Sequence, residues 1–191
     1  MTVLAALPGL LDEHHVQAKG VVHVGAHQAQ ELDTYRRCGF RRMLWVEPNP
    51  ALAADLRARG LEVAECAVVR RPRPIGLHVT SWDQQSSVLR PLRYRVTETV
   101  TVAGRRLDQL DTAGCNVLTV DVQGAEMSVL RSGPLDQFDM LIVECSMVER
   151  YRRQAAPDEV LDYCRRAGFR PVAELLHGRG RIVDHVLARA S

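Results

Sequence analysis

Short apolar runs alternate with stretches of helical spacing along most of the chain. GVVHVG (Gly20–Gly25) predicts a buried strand, and QAQELDTYRRCG predicts a helix that stops at Gly39. MLWVE (Met43–Glu47) predicts a second strand. NPALAADLRARG follows as a helix with Asn49 at its cap, Pro50 in its first turn and Gly60 at its end. LEVAECAVV (Leu61–Val69) predicts a third strand. Residues 70–102 change period, because IGLHVT and YRVTETVTV alternate every second position, as half-exposed antiparallel strands do. RRLDQLD then predicts a short helix, NVLTVDV (Asn116–Val122) a strand, GAEMSVLRSG a helix and DMLIVEC (Asp139–Cys145) a strand. APDEVLDYCRRAG predicts a capped helix. FRPVAELL and RIVDHVLAR close the chain as two strands with a short connection, which suits an antiparallel pair at one edge of a sheet.

Alternating strand and helix units specify an α/β fold with a mostly parallel sheet and helices on both faces. The 191 residues suit one domain, with 70–102 as an insertion or hairpin on the side where an acceptor would bind. In such sheets ligands bind beyond the carboxyl ends of the strands, where the strand order reverses. The residues that follow each strand are therefore the candidates for chemistry: Gly25, Ala26, His27 and Gln28, then Glu47, Cys66 and Ala67, Asp121, and Glu144.

Composition changes this picture little. Hydrophobic residues make up 46% and charged residues 25%, the balance of an ordinary globular chain. A net charge of +2 points to no polyanionic partner, and the densest basic run, RRPRP (Arg70–Pro74), has no interleaved aromatic residues to stack bases. No nucleic-acid partner is expected. No apolar run approaches the roughly 18 residues of a membrane span. MTVLAALPGLLDEHH has no basic segment ahead of its apolar patch, so a signal peptide is not expected either. Cys38, Cys66, Cys115, Cys145 and Cys164 are widely spaced and form no C-x-x-C pair, which suits reduced thiols in a cytoplasmic protein.

The first turn, VVHVGAHQAQE (Val21–Glu31), decides between ligands. A dinucleotide site calls for G-x-G-x-x-G, and from Gly25 the later positions hold His27 and Gln30. The His27 imidazole would fill space that a pyrophosphate needs, and no G-K-[ST] follows to make a P-loop. Glu47 at the end of the second strand can accept hydrogen bonds from both hydroxyls of an adenosine ribose. Together these favour S-adenosylmethionine over NAD(P), with a helix cap as the alternative use of Glu47. An NAD(P)-dependent oxidoreductase and a non-catalytic cofactor-binding protein are the rival readings.

HVGAHQAQE, WVEPNPALAADL, QSSVL, VTVAGRRLDQL, LTVDVQGAEMSVLRSG and LIVECS occur in the order of the blocks of the FkbM-type S-adenosylmethionine-dependent methyltransferases, which the chain resembles over about residues 20–146. The resemblance implies a Rossmann-like seven-stranded sheet with an antiparallel last strand. It also implies methyl transfer to a hydroxyl of a sugar, polysaccharide precursor or glycosylated natural product. His23, Ala29, Thr119 and Gln123 depart from the pattern, the first two at the cofactor turn and the last where an acid is frequent.

By resemblance and position, Gly25, Ala26, His27 and Gln28 would line the methionine end of the cofactor, Glu47 its ribose, and Cys66 and Ala67 its adenine. Asp121 is the first candidate for general base or metal ligand, beside the cofactor and acceptor together. Its alternative is a cap on the following helix. Glu126 in that helix's first turn and Glu144 after the next strand are the further acids. Asp121 and Glu144 together would suit Mg²⁺. His78, next to Trp82, Asp83 and the QSS block (Gln85–Ser87), is the remaining catalytic candidate. His14, His15, His177 and His185 fall in no motif, and Tyr35 and Trp45 read as core. An exposed edge near YRVTETVTV could support a homodimer.

Overall fold

A computed structural model describes residues 3–190. In chain order they form α1 (Val3–Glu13), β1 (Gly20–Val24), α2 (Leu32–Cys38), β2 (Arg42–Val46), α3 (Pro50–Ala58), β3 (Glu62–Ala64), β4 (Ala67–Val68), β5 (Ile75–Thr80) and β6 (Val96–Val102). These are followed by β7 (Gly104–Arg105), β8 (Val117–Val120), α4 (Glu126–Leu130), β9 (Met140–Ser146), α5 (Pro157–Arg166), β10 (Phe169–His177) and β11 (Ile182–Arg189). Single 3-10 turns occupy Asp83–Gln85 and Leu107–Gln109.

Seven strands form one sheet in the order β10-β11-β9-β8-β1-β2-β3. From β3 to β9 every pairing is parallel; β11 runs antiparallel between β9 and β10. The chain moves outward from β1 through β2 to β3, then returns to β8 on the other side of β1. The strand order therefore reverses between β1 and β8, and the crevice opens past Val24 and Val120, which are in register there.

All five residues of β1 are buried, as a strand covered on both faces requires. Val22 and Val24 face one core with Val46, Leu118, Val120, Val129 and Leu161, under α4 and α5. Val21 faces the other with Leu7, Tyr35, Trp45, Leu56 and Val117, under α1, α2 and α3. His23 shares that second face. Its ring stacks on Trp45, its Nδ1 lies 2.9 Å from the Tyr35 hydroxyl, and that hydroxyl lies 2.9 Å from Thr119 Oγ1. His23 thus sits in the second core, against the Tyr35 and Trp45 rings. The substitution at this position serves a buried polar chain.

The helix ends follow local chemistry. Asn49 Oδ1 accepts the Ala51 N–H at 3.0 Å and Pro50 opens α3. Gly39, at φ 85°, caps α2 in the left-handed conformation. Acids in the first turn of α5 and arginines in its last complement the helix dipole.

Two expectations need correction. The helix expected from Gln28 starts only at Leu32, because His27 and Ala29 adopt φ of 45° and 53° and keep the chain in a turn. The third strand splits. The Ala64 carbonyl accepts both Glu47 N–H and Cys66 N–H, ending the ladder with β2, and β4 pairs with β7 instead. The N-terminal apolar patch forms α1, burying Leu7, Leu10 and Leu11 over the second core. The period-two middle does form an antiparallel pair, β5 with β6, over a small core of Ala67, Val69, Leu77 and Val102. No helix among the described residues is long and apolar enough to cross a membrane.

Candidate functional site

The crevice past β1 and β8 is a cavity of about 390 Å³. Gly25 makes its floor. Its φ of 94° suits glycine alone, and a β-carbon there would lie 1.7 Å from the Asp121 carbonyl oxygen. The backbone of the turn therefore approaches β8 as closely as a chain can, leaving the space above it for a ligand.

Glu47 stands at the end of β2 on the cavity wall, 5% exposed. One carboxylate oxygen accepts the His27 N–H and the other the Asn49 N–H, both at 2.8 Å. Burial raises its pKa, and those two N–H groups oppose the rise. Cys66 and Ala67, at the break between β3 and β4, continue the wall with Leu52 and Leu77. The turn after β5 closes the top: Trp82, Asp83, Gln84 and Gln85 line the cavity, and Asp83 Oδ2 meets His27 Nε2 at 3.1 Å.

Asp121, just after β8, and Glu144, within β9, form the far wall, and the Gln123 side chain lies between them. Its amide donates to Asp121 Oδ1 at 2.6 Å and to Glu144 Oε1 at 2.9 Å. Gln123 sits at φ 53°, a costly conformation for a residue with a side chain. Two contacts hold it there. Ser87 Oγ donates to the Gln123 carbonyl at 2.8 Å, and the Tyr151 hydroxyl lies 3.2 Å from Gln123 Oε1. Burial first, then the Glu144 charge, push the Asp121 carboxyl well above the usual carboxylate range. Burial and Asp184 raise Glu144 in turn. Two close carboxylates of this kind disfavour the form in which both are charged.

A second cavity of about 190 Å³ adjoins the first beneath α1 and shares Glu31, Asp121, Glu144 and His177 with it. It adds His23, Tyr35, Thr119 and Asp184.

Residues 23–171 match the methyltransferase FkbM domain. The chain belongs to the FkbM methyltransferase family. Solved structures of the same fold include Sp1610 of Streptococcus pneumoniae, a proposed tRNA (m1A22) methyltransferase, in complex with S-adenosyl-L-methionine. It is 14% identical, with a TM-score of 0.55, over 97% of this chain and 72% of that one. A S-adenosylmethionine-dependent methyltransferase of Clostridium acetobutylicum is 6% identical, also at 0.55, over 98% of this chain and 91% of that one. At these identities the likeness concerns the fold. No curated protein matches the chain significantly.

In this methyltransferase the structure brings Gly25, His27, Glu47, Cys66, Ala67, Asp121 and Glu144 together around one cavity. Four other candidates lie outside both cavities. Ala26 is buried in the second core, and Gln28 is exposed with its carbonyl bound to Arg59 at 2.7 Å. His78 is turned toward β6, where its Nδ1 meets Thr99 Oγ1 at 3.1 Å. Glu126 is 3% exposed and accepts the Gly124 N–H at 2.7 Å, so it braces the loop after Gln123 rather than facing a ligand. Burial pushes its carboxyl up to about 7. Between Asp121 and Glu144, the pair that would suit Mg²⁺, lies the Gln123 amide, which donates to both.

Sequence reasoning missed Gln123, His177 and Asp184. The motif order marks Gln123 only as a departure. His177 and Asp184 reach the site through the register of β10 and β11, which sequence spacing does not reveal.

Proposed function

We propose that this methyltransferase moves the methyl group of S-adenosylmethionine to a hydroxyl of a sugar, a polysaccharide precursor or a glycosylated natural product. Glu47 carries the cofactor reading. Each of its oxygens accepts one backbone N–H and keeps another lone pair, so a ribose can present its two adjacent hydroxyls to the pair. The close approach at Gly25 leaves room for the methionine end, and Cys66 and Ala67 border the adenine. His27 stands where a dinucleotide turn needs its second glycine, and its ring is engaged with Asp83.

The bound cofactor supplies an activated methyl on a sulfonium. The protein's share is to aim the acceptor, exclude water and take its proton. Asp121, at the junction of the two cavities, would take the proton of an acceptor hydroxyl held beside the cofactor. The Gln123 amide, bridging Asp121 and Glu144, holds that carboxylate in place. Cavity walls bear on the acceptor class too. Glu31, Glu47, Asp83, Asp121, Glu144 and Asp184 line the two cavities, and no lysine or arginine does among the described residues. Such walls favour an uncharged or cationic acceptor and repel phosphates, which supports a saccharide over RNA.

The test is transfer of a labelled methyl group to a panel of neutral, amino and acidic saccharides. The expected result is labelling of neutral or amino members, reduced about 100-fold by Asp121→Asn with S-adenosylhomocysteine binding intact. Labelling of none, with cofactor binding intact, would remove the acceptor class; unchanged turnover in Asp121→Asn would remove the base.

A further inference from the structure

Glu144 and Asp184 stand directly opposite one another where β9 pairs with β11. Like charges in that relation repel, and both are withdrawn from water, Asp184 to 7% exposure. A buried carboxylate needs a partner, a proton or a metal. Among the described residues the only side chain of opposite charge that reaches Asp184 is His177. His177, at the end of β10, turns its Nε2 between the two acids, 3.5 Å from Glu144 Oε2 and 3.3 Å from Asp184 Oδ2. The nitrogen is shielded from solvent yet its geometry makes a hydrogen bond to neither oxygen. It is aimed at the space they share rather than at one of them.

That arrangement matches ligands around one ion. One atom from each residue lies within 4.8 Å of the others. Donors at about 2.1 Å from a tetrahedral ion stand about 3.4 Å apart, close to the two separations from Nε2. An ammonium group would need more room between its acceptors. The imidazole selects against Mg²⁺, which takes oxygen ligands, and toward a borderline transition ion.

We propose that Glu144, His177 and Asp184 form a binding site for one Mn²⁺ or Zn²⁺ ion, at the junction of the two cavities and distinct from the Gln123-bridged pair of Asp121 and Glu144. Glu144 belongs to both, through different oxygens: Oε1 takes the Gln123 amide and Oε2 faces the ion. An ion there would stand where an acceptor hydroxyl or a water could reach it and lose its proton more easily. The metal site does not depend on the identity of the cofactor.

The test uses the full chain after chelation and dialysis, titrated with Mn²⁺ while free Mn²⁺ is followed by electron paramagnetic resonance, and with Zn²⁺ by calorimetry. The expected result is one ion per chain, with Mg²⁺ at equal concentration failing to displace it. His177→Gln and Asp184→Asn should each weaken binding at least tenfold. His177 is one-third exposed at a strand end, so its variant is expected to fold, and circular dichroism checks that it does. Stabilisation by S-adenosylhomocysteine is measured on the same samples. Its absence beside stoichiometric Mn²⁺ would overturn the cofactor reading and leave the metal site standing. Binding well below one ion per chain, or binding that His177→Gln leaves unchanged, would overturn the site. So would stabilisation by glucosamine in the absence of any metal uptake, which would give the cluster to an ammonium-bearing acceptor instead.

Discussion

At Gly25 the backbone adopts φ 94° with the Asp121 carbonyl against its α-carbon, so a single methyl group cannot be added without moving β1 or β8. Gly25→Ala is expected to lower stability by about 2 kcal/mol or more and to abolish cofactor-dependent stabilisation; denaturant unfolding with and without S-adenosylhomocysteine measures both. Glu126 makes a different prediction. Burial pushes its carboxyl up to about 7, above the ordinary 4.5, so the folded state holds the proton more tightly than the unfolded chain. The stability this contributes is fully present below about pH 4.5 and is lost as the pH rises through about 7. The shift corresponds to about 3 kcal/mol. Glu126→Gln keeps an oxygen for the Gly124 N–H and removes the charge. It is expected to melt higher than the parent at pH 8 and to differ little at pH 5. An equal effect at both pH values would contradict the burial of this carboxyl.

The β5–β6 pair and its turn act as a clasp on the cavity. Asp83 reaches His27 on the glycine turn, and Ser87 holds the carbonyl of Gln123 in its left-handed conformation. Ser87 Oγ also accepts the Leu89 N–H at 3.0 Å, so it ties the clasp to the β8–α4 loop at one atom. Ser87→Ala should cost about 1 kcal/mol of stability. Turnover should fall several-fold while affinity for S-adenosylhomocysteine changes less than twofold, because the loop carries Gln123 and not Glu47. Equal losses in both would mean that the clasp serves the cofactor alone. Elements of this kind were legible in part. The buried runs of β1, β2, β8 and β9 and the period-two middle can be read from spacing, as can the caps at Asn49 and Gly39. The split of the third strand could not, because it turns on one carbonyl, that of Ala64, serving two donors. The late start of α2 could not either, since His27 and Ala29 are not residues that announce a left-handed turn.

At the scale of the molecule, strand order explains which site residues a sequence can show. Gly25, Glu47 and Asp121 follow parallel strands around the reversal point, so their place in the chain predicts their place in space. Asp184 and His177 arrive from the opposite direction, on an antiparallel strand and its neighbour, and meet Glu144 only through register. His78 and Glu126 fell in suggestive segments, but one faces β6 and the other is enclosed beneath its own loop. The same architecture gives both cavities acidic walls with no lysine or arginine among the described residues. Acidic saccharides should therefore compete poorly with neutral ones for methylation, a ratio readable from initial rates.

The central claim is that the cavity above Gly25 holds S-adenosylmethionine by way of Glu47, and thermal unfolding with S-adenosylhomocysteine, NAD⁺ and NADPH in parallel tests it most directly. A ligand at 100 times its dissociation constant adds about 2.7 kcal/mol. The account predicts that stabilisation with S-adenosylhomocysteine alone, weakened at least tenfold in apparent affinity by Glu47→Ala. Stabilisation by NADPH, or by none of the three, would contradict it.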